Sequence, residues 1–499
     1  MPQGPFFLGI DAGQTVVKAV LHDHAMQKVA VARGASPNHT PAARRVERSH
    51  DDLWRAASTA ITDVLAESGV NPSEIQGIGI TGHGDGFHLV DAEGKAVGPA
   101  IMAVDSRAWR EREEILADQG RAQTILEISG QVPFLGSPGI MLAWTAKNHP
   151  EFLTQATAML GCKDVLRLRL TGHVGTDYSD ASASFLNTRT QQWSQELLDA
   201  YGVGDQMRLL PSLHSSVDVV GAISAEAAAL TRLTAGTPVV AGSHDVHASA
   251  LGMGSLRDGA LSLIAGSFSI NAITTTTDHV HPDWQNRLSV EKGLRMAMST
   301  SATASTTLEW FLSTLGVTTA QQRDALFADA QALEPSDDLP VLTPFLFASP
   351  YGEAPSGSFV GLRNWHTPAH LLRATLEGIA WMHVWHCNAL SRSFSWDPVV
   401  RLGGGIANSE FYSDMVANAL GVTIEVVSNE ETGCFGAAAM AATGVGYFTH
   451  YRDAFNHVAV ERTHTPSAEG MEYWARRSAL LQDVTDALMP IWGNWNQGS

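Results

Sequence analysis

A strand-turn-strand device occurs twice in this chain, and the repetition limits the fold more than any other feature. Residues Leu8 to Val20 read Leu-Gly-Ile-Asp-Ala-Gly-Gln-Thr-Val-Val-Lys-Ala-Val, and Leu261 to Ile270 read Leu-Ser-Leu-Ile-Ala-Gly-Ser-Phe-Ser-Ile. In each copy an apolar β-run breaks at Gly13 or Gly266, a hydroxyl residue follows within two positions (Thr15 or Ser267), and a second apolar run resumes. The simplest reading is two similar halves. Such turns hold phosphate well, because glycine lets the backbone approach an anion while amides and hydroxyls supply donors; two ordinary hairpins are the alternative. At 499 residues the chain exceeds one compact core and fits two domains of ordinary size.

The rhythm between the hairpins is strand, helix, strand, which implies an α/β protein. A helical stretch over Asp51 to Ser68 leads to the strand Gly77-Ile78-Gly79-Ile80 and then to Thr81-Gly82-His83-Gly84-Asp85-Gly86. The run Pro238-Val239-Val240-Ala241-Gly242 ends in Ser243-His244-Asp245, which sets a domain boundary near Leu251: residues 1–250 and 251–499. The second half predicts helices near Thr306 to Leu315 and from Thr367 to about Arg392. A strand Val399 to Leu402 then enters Gly403-Gly404-Gly405, an alanine-rich helix covers Cys434 to Ala442, and a terminal helix follows Met471.

Charge narrows the partners. Asp and Glu total 51 against 32 Lys and Arg, a net charge of −19, with no long basic run, so nucleic acid and anionic membrane are poor partners. The apolar segment at Phe6 to Ile10 is short and runs directly into Asp11, unlike a signal peptide, and no uncharged stretch reaches spanning length. Cys162, Cys387 and Cys434 are scattered singly, as reduced core thiols are. The expected compartment is the cytoplasm.

Two carboxylates stand where chemistry is easiest to place. Asp11, at a strand end beside a glycine turn, suits a phosphate-bound Mg²⁺ that keeps several of its waters, or else closes an Asx-type turn. Asp245 follows a strand end where open α/β sheets put their ligand crevice; there it orients a substrate hydroxyl and takes its proton during attack on phosphorus, or caps the following helix. Gly403-Gly404-Gly405 followed by Asn408 reads either as a close approach to a flat ligand or as a packing turn. The polar side chains of His83 and Asp85 reach a polyhydroxy ligand or sit in a solvated loop. No Gly-x-Gly-x-x-Gly follows an N-terminal strand and no Walker sequence occurs, which weighs against hydride transfer and a Walker NTPase.

The ordered set of segments resembles the FGGY carbohydrate kinases, from about Phe6 to Gly446. The blocks are Gly9-Ile10-Asp11-Ala12-Gly13-Gln14-Thr15; Asp105-Ser106-Arg107; Lys163-Asp164 with Leu170-Thr171-Gly172; Thr176-Asp177 with Asp180-Ala181-Ser182; Gly242-Ser243-His244-Asp245; Arg373-Ala374 with Glu377-Gly378; Gly403-Gly404-Gly405; and Glu431-Thr432-Gly433-Cys434-Phe435-Gly436-Ala437-Ala438. The resemblance implies two ribonuclease-H-like, actin-like ATPase domains with an interdomain cleft, and ATP with Mg²⁺ as cofactors. By that likeness Asp245 matches the catalytic base and Asp11 the carboxylate near magnesium. Gly13, Gln14, Thr15, Gly266 and Ser267 match the phosphate loops, and Gly404, Gly405 and Asn408 the adenosine platform. His83, Gly84, Asp85 and Asp245 match the sugar pocket. The expected partner is a small sugar or polyol, and a homodimer is compatible with the family.

Departures from the pattern sharpen the expectation. Relatives that phosphorylate glycerol carry an aromatic residue where Ala103 stands and an Arg-Glu pair in place of Gly84-Asp85, so glycerol is a poor substrate. Ser305 and Thr306 replace the glycine often found before Trp310. The Gly-Asp-Gly loop and the Glu430-to-Ala438 stretch look closest to the branch acting on L-xylulose and related ketopentoses, with erythritol kinases nearby. Two rivals belong to other classes. A chaperone ATPase would need a peptide-binding domain that the fifty residues after Gly446 do not supply; a non-catalytic sugar sensor would have no need to keep both Asp11 and Asp245.

Overall fold

Each hairpin seeds a sheet, and the two sheets share one core arrangement. The structure is a computed structural model that describes residues 3–266, 268–347, 349–352, 354–429 and 431–495. The run Phe6–Ala12 is buried along nearly its whole length, as a central strand is, and pairs antiparallel with Val16–His22, which pairs in turn with Lys28–Ala35. Helix His50–Ser68 starts at the cap Ser49, whose side chain accepts from the Asp51 amide, and stops at Gly69 in the left-handed region. Its buried stripe of Leu53, Ala57, Ile61 and Val64 packs on the sheet core. The chain then returns as Ile75–Gly82, parallel to Phe6–Ala12, and later as Pro238–Val240 and Ser243–His244, both parallel to Ile75–Gly82. Val219–Ala222 closes that edge antiparallel.

In the second sheet Leu261–Ala265 takes the place of Phe6–Ala12. It pairs antiparallel with Ser269–Thr275 and parallel with Val399–Gly403; Thr423–Val427 follows in parallel and Val460–His464 closes antiparallel. Arg295–Ser301 extends the hairpin side. In both sheets the first strand therefore lies between its hairpin partner and a later parallel strand, with a second parallel strand and then an antiparallel edge strand beyond, as the repeat predicted. The expected helices are present as Ser305–Thr314, Pro368–Ser391, Thr432–Gly444 and Ala468–Trp495. No helix among the described residues is long and apolar enough to cross a membrane.

By contact the chain divides into two units: Met1–Asp258, Thr274–Met296 and Glu431–Ala459 form the first, and Gly259–Ile273, Ala297–Glu430 and Val460–Ser499 the second. The boundary expected near Leu251 lies just ahead of the first switch between units, after Asp258, and helix Thr432–Gly444 is among the later segments grouped with the first unit. It is apolar nearly all round and fully buried from Gly433 to Ala442. It lies so close to the first sheet that a Cβ on Gly9 would fall 1.9 Å from the Cys434 carbonyl oxygen, and one on Gly79 1.8 Å from that of Ala437. Only bare backbone at those two strand positions admits the helix.

Candidate active site

Three parallel strand ends in the first unit finish at one level. Asp11 stands beside Thr81 and Thr81 beside Ser243; one residue on, Ala12 stands beside Gly82 and Gly82 beside His244. With strands spaced about 4.8 Å apart, the chain leaves the sheet as Gly13, His83 and Asp245 along one crest. Thr81 Oγ1 donates to the Ser243 carbonyl at 2.7 Å and the His83 amide to the Ala12 carbonyl at 3.0 Å, which ties the three ends together.

Asp245 opens helix Asp245–Gly252. Its Oδ1 accepts from the Val246 amide at 2.7 Å and lies 3.0 Å from His244 Nδ1, while the side chain keeps 36% of its surface. Burial pushes its pKa up, but the His244 charge and hydrogen bond outweigh burial and hold the carboxyl below its ordinary value. The cap of this helix is His244, whose Nδ1 accepts from the Val246 amide at 3.3 Å; Asp245 stands one place inside it and keeps an accessible oxygen. Behind it, the His244 amide donates to Ser179 Oγ at 2.9 Å, and Ser179 Oγ to Asp177 Oδ2 at 2.6 Å. Fully buried Lys163 gathers Asp164 at 2.7 Å, Asp177 at 3.0 Å and Asp180 at 3.1 Å.

Asp11 is pushed up to about 7, first by burial and then by the Asp245 carboxylate, with Lys18 opposing. Lys18, its neighbour across the hairpin, donates to Glu431 at 2.7 Å, and Arg33 binds the same carboxylate. A Cβ on Gly433 would lie 3.0 Å from Asp11 Oδ2, so the backbone of the distal helix borders this carboxyl directly. A buried carboxyl whose pKa is raised by neighbouring carboxylates is a site suited to a divalent cation. The turn beside Asp11 closes through the Gly13 amide on the Val16 carbonyl at 3.0 Å, and the Thr15 carbonyl accepts from the Ser36 amide at 2.8 Å. From below, buried Arg48 donates to the Gly13 carbonyl at 3.1 Å and the Gln14 carbonyl at 3.4 Å.

The loop His83-Gly84-Asp85 belongs to the same crest. His83 is buried, and its Nε2 stands 3.1 Å from Arg48 Nη2; burial and that guanidinium push its pKa down to about 3, so it is neutral and Nε2 accepts. A Cβ on Gly84 would fall 1.7 Å from His244 Nε2, so the loop lies flush against that ring. Asp85 adopts φ 60° and receives Arg287 Nη2 at 3.1 Å on each oxygen. Arg287 Nε donates to Gln131 Oε1 at 3.1 Å. Asp85 and Asp180 also border a small cavity walled by Met159, Ser184 and Phe185.

The remaining candidates lie in the second unit, at the ends of its first and fourth strands. Ile264 stands beside Gly403, and a Cβ on Gly404 would lie 2.5 Å from the Ala265 carbonyl, so Gly266 and the glycine run meet. Gly404, Gly405 and Asn408 are exposed, and Arg462 donates to the Asn408 carbonyl at 3.1 Å. Ser267 lies outside the described residues. The structure therefore brings Asp11, Gly13, Gln14, Thr15, His83, Gly84, Asp85 and Asp245 together in one unit and Gly266, Gly404, Gly405 and Asn408 together in the other. Sequence reading assigned no role to Lys18, Arg48, Arg287 or Glu431, or to the His244 side chain. His244 adjoins Asp245 in the chain and was open to suspicion; the others act across long separations with no local signal.

Comparison with known proteins agrees with this geometry. Profiles described as the N-terminal and C-terminal domains of the FGGY family of carbohydrate kinases match residues 6–252 and 263–445. An Escherichia coli K12 protein, L-xylulose/3-keto-L-gulonate kinase, is 33% identical over 488 residues and 97% of each chain. Erythritol kinase of Brucella abortus is 27% identical over 99% of each chain. The crystal structure of a xyloylose kinase from Brucella ovis superposes with a TM-score of 0.88 at 27% identity, covering 97% of this chain and all of the other. The two-domain α/β fold is that of these kinases, as expected.

Proposed function

This chain belongs to the FGGY family of carbohydrate kinases and is an ATP-dependent sugar phosphotransferase; from that premise we propose that it phosphorylates a terminal hydroxyl of a small ketose, with a ketopentose such as L-xylulose as the preferred acceptor. The observation that carries the chemistry is the half-exposed Asp245 carboxylate on the shared crest with Asp11. The choice of acceptor rests on the 33% identical relative that bears the L-xylulose name and on Gly84-Asp85 in place of the pair expected for glycerol.

In this reading Asp245 orients the acceptor hydroxyl. As the oxygen–phosphorus bond forms and the bond to the leaving ADP oxygen breaks, the hydroxyl proton passes to Asp245 and ADP departs with the bonding electrons. A carboxyl held below its ordinary range accepts that proton late, so orientation is its first duty. In the first unit the amides of Gln14 and Thr15 would supply donors for phosphate oxygens, since the Gly13 amide closes the turn; in the second unit Gly404, Gly405 and Asn408 would offer a platform for adenosine. Asp11, crowded by Asp245 and Glu431, would hold Mg²⁺ through its waters, and the ion would neutralise charge on the phosphates. Buried free thiols at all three cysteines fit a reducing compartment such as the cytoplasm.

The deciding experiment is ADP release with ATP and Mg²⁺ across ketopentoses, tetritols, hexuloses and keto-sugar acids. A ketopentose should give the highest kcat/KM. Release that is equal with and without every acceptor would remove the reading, and a tetritol ranking first would move the acceptor to the erythritol branch.

A further inference from the structure

We infer that His244 is a positioning residue for Asp245: its ring holds one carboxylate oxygen so that the other faces the acceptor hydroxyl, and the sugar loop sets the place of the ring. The inference rests on the reading of Asp245 as the base.

Three observations carry it. The Val246 amide donates to Asp245 Oδ1 at 2.7 Å and reaches His244 Nδ1 at 3.3 Å, and that ring nitrogen lies 3.0 Å from the same carboxylate oxygen, whereas Oδ2 takes no hydrogen bond among the described residues. The carboxylate is thus pinned at one oxygen and open at the other. The ring that pins it has no room to turn, because its Nε2 edge lies against Gly84. Its backbone is fixed as well, through Ser179 to Asp177 and the buried Lys163. Such a chain of contacts turns the rigidity of a buried charge cluster into orientation at one solvent-facing oxygen.

The groups around the ring come from four directions. Asp245 and His247 lie on the helix that follows His244, His83 sits on the sugar loop, Asp180 on the segment Tyr178–Ala181, and Arg287 on the strand Gln285–Leu288. Burial lowers the pKa of His244 and Arg287 opposes its charge, yet Asp245 and Asp180 prevail and the net direction is upward. A ring that merely filled space would need none of this balance. The contact couples the two groups: each shifts the other toward its charged form, and for Asp245 that is the form that accepts the proton.

The test compares His244→Asn, His244→Ala and Asp245→Asn by initial rates of ADP release with the best acceptor from pH 4.5 to 8, with the thermal midpoint as a check on folding. Asn keeps a side-chain N–H but no charge; Ala keeps neither. Misplacing a reacting group by about 1 Å costs about 100-fold, so His244→Ala should lower kcat by about that factor with KM for the sugar changed little, and His244→Asn should recover part of the loss. Both should move the acid limb of kcat to higher pH, because Asp245 loses the neighbour that opposes burial. If His244→Ala fails to fold, the acid limb of His244→Asn carries the test alone. An unmoved acid limb, or wild-type kcat in His244→Ala, overturns the inference. Asp245→Asn separates the two claims: if it is inactive while the His244 variants behave as wild type, only the role of His244 falls, and if it turns over normally, the base assignment itself falls.

Discussion

Arg287 Nη2 lies 3.1 Å from both carboxylate oxygens of Asp85, across 202 positions of sequence. The guanidinium is 1% exposed and the carboxylate 10%, so each is the other's main compensation. Removing one partner of a buried pair costs about 3 to 5 kcal/mol, much of it the charge left behind. Arg287→Met should therefore lower the urea midpoint sharply, and adding Asp85→Asn to it should restore a good part. A double variant that is as unstable as the sum of the singles would show that the two do not act as a pair.

The base assignment gives a second expectation. Asp245→Asn preserves the size of the side chain and its place at the helix start but cannot take a proton. Turnover should fall by about 10² to 10⁴-fold, while calorimetry of sugar binding stays near the wild-type value. Loss of binding with unchanged kcat would reverse the assignment.

Asp11 makes stability depend on pH in an uncommon direction. Its folded pKa is raised from 3.8 to about 7, so between those values the folded chain holds a proton that the unfolded chain has released. Stability without a bound cation therefore falls as pH rises through that window. Asp11→Asn should flatten this part of the thermal-midpoint curve and raise the midpoint above that of wild type at pH 8, at the expense of activity. A slope equal in both proteins between pH 4 and 7 would deny Asp11 this titration.

Lys163 predicts a structural failure that reaches the chemistry. It is the shared cation of buried Asp164 and Asp177 and of the nearly buried Asp180. Lys163→Met removes the shared cation and leaves Arg167 on Asp164 and serine hydroxyls and backbone amides on Asp177, and should cost about 3 to 5 kcal/mol. Chemical denaturation measures it, and a midpoint within experimental scatter of wild type would refute the accounting.

What was legible in advance followed from local pattern. Apolar runs broken at Gly13 and Gly266 became the two hairpins, and strand ends at Gly82 and His244 put Asp245 on the crest, because parallel strands align their C-terminal ends. The twin arrangement of the sheets followed from the same repeat. Long-range electrostatics were not legible: nothing near Arg48, Arg287 or Glu431 in sequence announces a partner on another element. Nor did composition show that the alanine-rich helix would leave its own half. That depends on a fit between bare strand positions at Gly9 and Gly79 and a helix of small residues, a property of two surfaces and not of either segment.

The placement of Thr432–Gly444 against Phe6–Ala12 and Ile75–Gly82 also governs the order in which the protein is able to mature. Domains usually fold as they emerge from the ribosome, amino-terminal first. Here the earliest strands leave the tunnel with one greasy side uncovered and must wait for a plug translated near the far end of the message. Protein shortened after residue 258 should accordingly aggregate, and should regain solubility when residues 431–459 are supplied beside it.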